Sequence, residues 1–431
     1  MTVHPIAPPR LRAFEWWMLS MFALGISYSA FVSLLIPPYV SDSGGDASTA
    51  GIVMAIIALG ALGGPPIGAF ADRYSAHRIV MVGGIAGMAL SFAAYALSAD
   101  NSALYALDAI LMGVSVAAVS ATAPVFIVGA KLDQATEAKQ MTTLQLMMPA
   151  GQLVGGLLLA GITGWSFANR FWLGAGIVAL SFVVVWFTSG DVSQRLKHAM
   201  AEETTTNADG GRKKIGLKQV LLSTFGIYFA VLVFTSIANN GVNAQIANIM
   251  PNVYGIDAKT TSALISLAGL LNIVLYFPAG RWMARKGPFP PFMAGIVGRM
   301  IAGLGMGAVG LMTDNKALLG AAFMQLMYQA APFVRLSQPG LAVRFATFPA
   351  GQASGWVIAG SAIGSFVGSL LGGYLADAFG YNAVNWMAAA AGAGAALILF
   401  MWLRPAEKRM RSGEKSPPEP PMNHEETAKH D

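Results

Sequence analysis

"GAFADRYSAHRIVMVGGIAGMALSFAAYAL", residues 68–97, sets Asp72, Arg73, His77 and Arg78 directly before an unbroken run, 79–97, that holds no ionisable side chain. A run of that length matches the ~20 apolar residues a helix needs to cross the hydrocarbon core of a bilayer. The charged knot then reads as a loop between two crossings. The same alternation recurs along all 431 residues, of which 55% are hydrophobic and 11% charged. Mean hydropathy is +0.57. A soluble α/β enzyme of this size would break its apolar strands with charged helix faces about every dozen residues, so composition points to an all-α membrane protein. The first run, from about Phe14 to Ile36, is too long for a signal-peptide core and is expected to be a retained span. With no Cys in the chain, disulfides, thiol catalysis and thiolate metal sites are excluded.

Counting one crossing per ~20 apolar residues predicts twelve spans: 14–36, 49–71, 79–97, 103–130, 140–163, 168–188, 218–249, 260–282, 289–312, 317–345, 352–376 and 381–403. An even count puts both termini on one side. The loops on that side carry most of the Lys and Arg, from Arg10 and Arg12 through Arg73, Arg78, Lys131, Lys139, Arg195, Lys197 and Arg212–Lys214 to Arg281, Arg285, Lys286 and Arg404–Lys415. The opposite loops offer Arg170, Lys259 and Lys316 beside Asp42, Asp46, Asp100, Asp257, Asp314 and Asp377. The positive-inside rule therefore predicts cytoplasmic termini, in the inner membrane of a bacterium. The net charge of +6 is explained by topology, which leaves nucleic acid without a role as partner.

The stretch "GDVSQRLKHAMAEETTTNADGGRKK" at 190–214 is too polar to bury a core and reads as a cytoplasmic linker dividing the chain in two. The expected organisation is a cytoplasmic N-terminus at 1–13, a six-helix bundle at 14–188, a linker at 189–217, a second six-helix bundle at 218–403 and a disordered cytoplasmic tail at 404–431. Superposing the halves at a shift of 212 aligns Thr49 with Thr261, Pro66 with Pro278, Gly68 with Gly280 and Arg73 with Arg285. One residue more aligns Pro38 with Pro251, Gly151 with Gly364, Gly155 with Gly368 and Asn169 with Asn382. A common register across six spans argues for a duplication, with both halves oriented alike because six crossings restore the side.

With two six-helix halves, a cytoplasmic linker and a charged cluster between spans two and three, the chain resembles the major facilitator superfamily. That family's signature in this loop is G-x-x-x-D-R-x-G-R-R, matched here by Gly68, Asp72, Arg73 and Arg78, with Ser75 in the place of its second glycine. A partial echo, "GRWMARKG" at 280–287, keeps Gly280 and Arg285 but has Ala284 in the place of the acid. The resemblance, which covers about residues 14–403, implies that Gly68, Asp72, Arg73 and Arg78 latch the two bundles on the cytoplasmic side when the cavity faces outward. Gly68 is expected to admit span eleven close to span two, with Asp72 beside the amino end of span eleven near residues 352–355, where the helix dipole favours a carboxylate.

Ionisable groups inside hydrocarbon cost about 3 kcal/mol on insertion scales, so each asks for a reason. Span four has Asp108, with Ser115 and Thr122 following at steps of seven on the same face. Span seven has Thr235, Asn239 and Asn243 at steps of four, span ten has Arg335 with Gln325, Tyr328 and Gln338, span one has Ser27 and Tyr28, and span nine has Arg299. The resemblance places spans one, four, seven and ten around a central cavity. Tyr28, Ser115, Asn239, Asn243, Tyr328 and Arg335 are therefore expected to bind substrate, and Asp108 to couple protons. Arg299, on a span peripheral in that family, is expected to be structural or to snorkel.

Glycines on span five (Gly151, Gly155) and span eleven (Gly360, Gly364, Gly368, Gly372) are expected to let helices pack closely and slide between bundles. The antiporter branch of the family carries Gly-x-x-x-Gly-Pro in span five; Gly151 and Gly155 match, and Gly156 replaces the proline. Span four likewise lacks that branch's Arg before Gly113, having Asp108 and Ala109 instead. A membrane enzyme would need a metal motif or a nucleophile with its base, yet His4, His77, His198, His424 and His430 all lie outside the spans. No cofactor or metal is expected. The expectation is a monomeric secondary transporter working by alternating access, with protons as coupling ion. Export of small amphipathic compounds is favoured by the partial antiporter signals, and uptake of a small organic anion by Arg335.

Overall fold

The computed structural model describes residues 13–98, 102–130, 132–206, 223–346 and 350–412. Among these residues, twelve helices are long and apolar enough to cross a membrane: α1 Trp16–Asp42, α2 Ala47–Arg73, α3 His77–Leu97, α4 Leu104–Val128, α5 Thr136–Gly161, α6 Phe167–Thr188, α7 Thr224–Tyr254, α8 Ala258–Lys286, α9 Phe289–Val309, α10 Lys316–Phe345, α11 Gly355–Phe379 and α12 Asn382–Met410. The described residues form no strand.

Short polar signals start these helices. Asp46, Asp133 and Asp257 each stand three residues before a threonine and accept its backbone N–H, capping α2, α5 and α8. Ser166 does the same for α6 through Asn169. Hydrogen bonds from Thr49 and Ser48 hold the Asp46 carboxyl below its usual range. Gly255 ends α7 in the left-handed conformation, φ 71°, that glycine adopts without penalty. Ser75, in the turn before α3, takes the same hand, φ 48°, so the serine carries the strain that the family's glycine avoids.

The duplication visible in the sequence reappears in the packing. A Cβ on Gly151 or Gly155 of α5 would meet α1, at the Phe22 carbonyl and the Ala30 methyl; on Gly364 or Gly368 of α11 it would meet α7, at the Val233 and Ile237 carbonyls. These glycines therefore pack helices within a bundle, α1 on α5 and α7 on α11, which corrects the expectation that they line the surface between bundles. Other glycines form that surface. Gly51 of α2 meets Gly373 of α11, where an added Cβ would come to 2.7 Å of the opposing Cα, and Gly156 of α5 and Gly269 of α8 face each other's helices.

Two expectations about polar segments are corrected. Residues Gly190–Thr206 of the linker form a helix, with Val192 and Leu196 buried. It is tied down where Glu15 accepts from Trp17 Nε1 at 3.0 Å, Gln140 Nε2 at 3.0 Å and Arg195 at 2.5 Å. Helix continues past residue 403, where the tail was expected to begin, through Arg404–Ser412, held to α10 by Arg344 and Glu407 at 3.0 Å. Apolar anchors and half-buried ion pairs supply what net polarity conceals. The remainder of both segments lies outside the described residues, as do the residues N-terminal to 13.

Candidate functional site

A central cavity lies between the bundles, lined by Tyr28, Ser29 and Ser33 of α1, Met54 of α2, Pro149 and Gln152 of α5, Asn239, Asn240, Asn243 and Ala244 of α7, Asn272 and Tyr276 of α8, Arg299 of α9, Tyr328, Ala331, Pro332 and Arg335 of α10, and Ser369 of α11. Irregular helix aims several of these groups. Tyr28 sits in a π-helical stretch, Gly25–Val32, whose widened turn displaces the side chains from straight helical register. In α10 the helix is interrupted between Gln329 and Ala331, ahead of Pro332, and Arg335 follows one turn later.

The structure thus brings Tyr28, Asn239, Asn243, Tyr328 and Arg335 together around one space. Tyr328 Oη donates to Asn243 Oδ1 at 2.7 Å, bridging α10 and α7. Arg335 is exposed to the cavity, and its guanidinium reaches Met148 Sδ of α5 at 3.3 Å. The cavity also takes in Arg299, assigned by sequence to a peripheral role. It is 93% buried, by a relative exposure of 7%, and its Nε has no hydrogen-bond partner. The Oδ1 of Asn272, another lining residue, is likewise unpartnered. No Asp or Glu lines the cavity among the described residues, so two guanidiniums share it without an acid.

Two predicted site residues lie elsewhere. Ser115 packs against Gly87 of α3 and lines a separate apolar crevice with Pro66, Phe70, Gly83 and Gly84. Asp108 is buried on the same side of α4, where Ser91 Oγ of α3 donates to its backbone carbonyl at 2.9 Å and its Oδ2 has no partner. Neither lines the central cavity, and for one reason: the polar face of α4 turns toward α3 within its own bundle.

The two ends of the cavity differ. At the end away from the termini the bundles are tied together. The Asp377 carboxylate at the end of α11 accepts the backbone N–H groups of Ala47 at 2.8 Å and Ser48 at 2.7 Å, the first amides of α2. Gln245 Nε2 of α7 donates to the Ala47 carbonyl at 2.9 Å, and Asn248 Nδ2 to Ser41 Oγ at 3.3 Å. At the terminus-bearing end the signature residues make no such tie. A Cβ on Gly68 would meet nothing within 4 Å. Asp72 is largely exposed and pairs with the buried His77 Nε2 at 2.9 Å. Arg73 lies over the Tyr74 ring. Arg78 donates to the Trp186 carbonyl at 2.7 Å and the Ser189 hydroxyl at 3.1 Å, within its own bundle. The expected contact between Asp72 and α11 is therefore not made in this conformation, in which the cavity is shut at the far end.

Twelve membrane-spanning helices around a polar central cavity closed at one end define a transporter. A family model described as Major Facilitator Superfamily matches residues 17–346 and 336–429, and the chain belongs to that family. The fold is shared with a D-xylose-proton symporter at TM-score 0.68 and 14% identity, covering 90% of this chain and 97% of that one. It is shared equally with the nucleoside transporter NupG at TM-score 0.69 and 13% identity, covering 90% and 98%. No curated protein sequence matches the chain significantly.

Proposed function

We propose that this protein carries a small organic anion across the cytoplasmic membrane by alternating access. One observation carries the reading: Arg299 and Arg335 line a cavity that has no acid among its described lining residues. A guanidinium stays charged at any physiological pH, and a buried one without a counter-ion is costly unless a ligand supplies the opposite charge. The surrounding amides and phenols, Asn239, Asn243, Asn272, Tyr28, Tyr276 and Tyr328, offer donors and acceptors for the rest of a polar substrate. Export of small amphipathic compounds, favoured by the partial antiporter signals, finds less support in this lining, where two guanidiniums would repel any cationic cargo.

Basic loops assign the terminus-bearing end to the cytoplasm, so the present conformation faces inward. Gly68, Asp72, Arg73 and Arg78 are proposed to engage α11 in the opposite, outward-facing conformation. Binding tests the reading: in detergent, an organic mono- or dicarboxylate raises the melting temperature of the wild-type protein, and Arg335→Gln and Arg299→Gln each remove at least a tenfold share of affinity. Equal stabilisation of wild type and Arg335→Gln by a neutral or cationic compound, with none by anions, would refute it.

A further inference from the structure

Resting on the anion reading, we propose that the protein is an exchanger: the cavity crosses the membrane loaded with an anion in both directions and does not return empty. The argument concerns the step between the two open states. To change access, the terminus-bearing end must close over Arg299 and Arg335 before the far end parts. In the present conformation Arg335 is exposed to the cavity and is screened by whatever water and ions fill it. Arg299 is already enclosed, with its Nε unpartnered. Closing the open end removes that screening from two like charges that face the same small space.

A transporter can offset such charges with an acid of its own, which takes the substrate's place on the empty return. Here the described lining offers none: its neutral groups are tyrosines, amides, serines and apolar side chains. Asp108 lies on the face of α4 that packs against α3. Asp377 and Asp46 are committed to the amino end of α2 at the far edge. Glu15 is held by Trp17, Gln140 and Arg195 at the other. The partners of Arg335, Met148 Sδ and the Tyr276 hydroxyl, are neutral. An anion from solution is thus the available counter-charge for closure, and the one carried out must replace the one carried in. The same reasoning gives the ligand's class: a compact anion, with two acidic groups matching two guanidiniums better than one.

The test reads conformation without any substrate. The chain has no Cys, so Phe187→Cys on α6 and Met410→Cys on α12, both exposed at the terminus-bearing end of opposite bundles, can be spin-labelled in otherwise native protein. In anion-poor lipid nanodiscs, pulsed EPR is expected to give one long distance, that of the open end. Arg299→Gln combined with Arg335→Gln is expected to raise the short-distance population at least tenfold. Should Arg299→Gln fail to fold, Arg335→Gln alone is expected to raise it several-fold. Wild type that already samples both distances, or variants that leave the distribution unchanged, would overturn exchange.

A second arm uses phosphate, sulfate, malonate and succinate. Proteoliposomes loaded with the one of these that most raises the melting temperature are expected to take up its labelled form at least tenfold faster than unloaded ones. Equal rates overturn exchange while leaving anion transport standing. Absence of any melting shift, with the apo protein still locked and freed by the Gln variants, overturns the anion reading instead.

Discussion

Asp377→Asn isolates the contact that closes the far end. The wild-type carboxylate gives one oxygen to each of two backbone amides at the positive end of α2, at 2.8 and 2.7 Å, across the boundary between bundles. A hydrogen bond to a charged group is worth about 1.5–3 kcal/mol against about 1 kcal/mol for a neutral one, and the helix dipole adds a few tenths. Asparagine keeps one acceptor and loses the charge and the second bond. Because the site is partly solvated, water recovers a good part of the loss, leaving a net weakening of about 1.4 kcal/mol. Once the bundles part, neither side chain makes these bonds, so the whole difference falls on the far-end-closed state. That corresponds to a tenfold shift toward the opposite conformation. The spin-label pair at 187 and 410 reads the shift as growth of the short distance, and the melting temperature should change little. An unchanged distance distribution in a folded variant would refute the idea that this carboxylate biases the conformation.

Ser75→Gly should stabilise the turn before α3 by about 1 kcal/mol, seen as a higher melting temperature, because it removes the left-handed strain at φ 48°. Gly373→Val should drive α2 and α11 apart, since an added Cβ comes to 2.7 Å of the Ala47 carbonyl; the expected result is loss of the far-end-closed state or about 1–3 kcal/mol of stability. Ser115→Ala should leave substrate affinity within twofold of wild type, as binding measurements would show, because its hydroxyl faces α3. For Asp46, hydrogen bonds from Thr49 and Ser48 lower the carboxyl below its usual 3.8. A depressed carboxyl stabilises the fold above the unfolded value, and that contribution is lost as pH falls through the folded one. The melting difference between wild type and Asp46→Ala, about 1 kcal/mol for a lost cap, should therefore hold through neutral pH and narrow only in acid below that value.

Hydropathy was enough to read the span count and the all-α class, because a bilayer forces every crossing into one long apolar helix. The duplication was legible for the same reason: glycines fixed by close helix contacts keep their register, and Gly151 and Gly364 do pack on equivalent helices, α1 and α7. Which helices those glycines join was not legible. Small residues on a helix permit a close neighbour without naming it, and the helices packed within a bundle look in sequence like those packed between bundles. The linker helix escaped notice because Val192 and Leu196 are only two apolar anchors in a polar segment.

For the cavity, sequence reasoning found the residues whose chemistry is expensive in lipid and failed on which way they point. Asn239, Asn243 and Arg335 had no inexpensive alternative to a polar interior, and they line one. Asp108 and Ser115 satisfied the same rule, yet a neighbouring helix of their own bundle answers it: α3 offers glycines and Ser91 against α4, and that face turns inward to it. Arg299 is the reverse error. Its helix is outlying in the family pattern, but an arginine side chain is long enough to reach the centre from there, and burial to 7% exposure leaves it no snorkelling path to water. The signal that could have found it is arithmetic: two intramembrane arginines, Arg299 and Arg335, against a single acid, Asp108, in the central helices. An uncompensated charge that persists inside a membrane calls for a partner that arrives from outside, and that imbalance is the ground on which an anionic substrate is proposed.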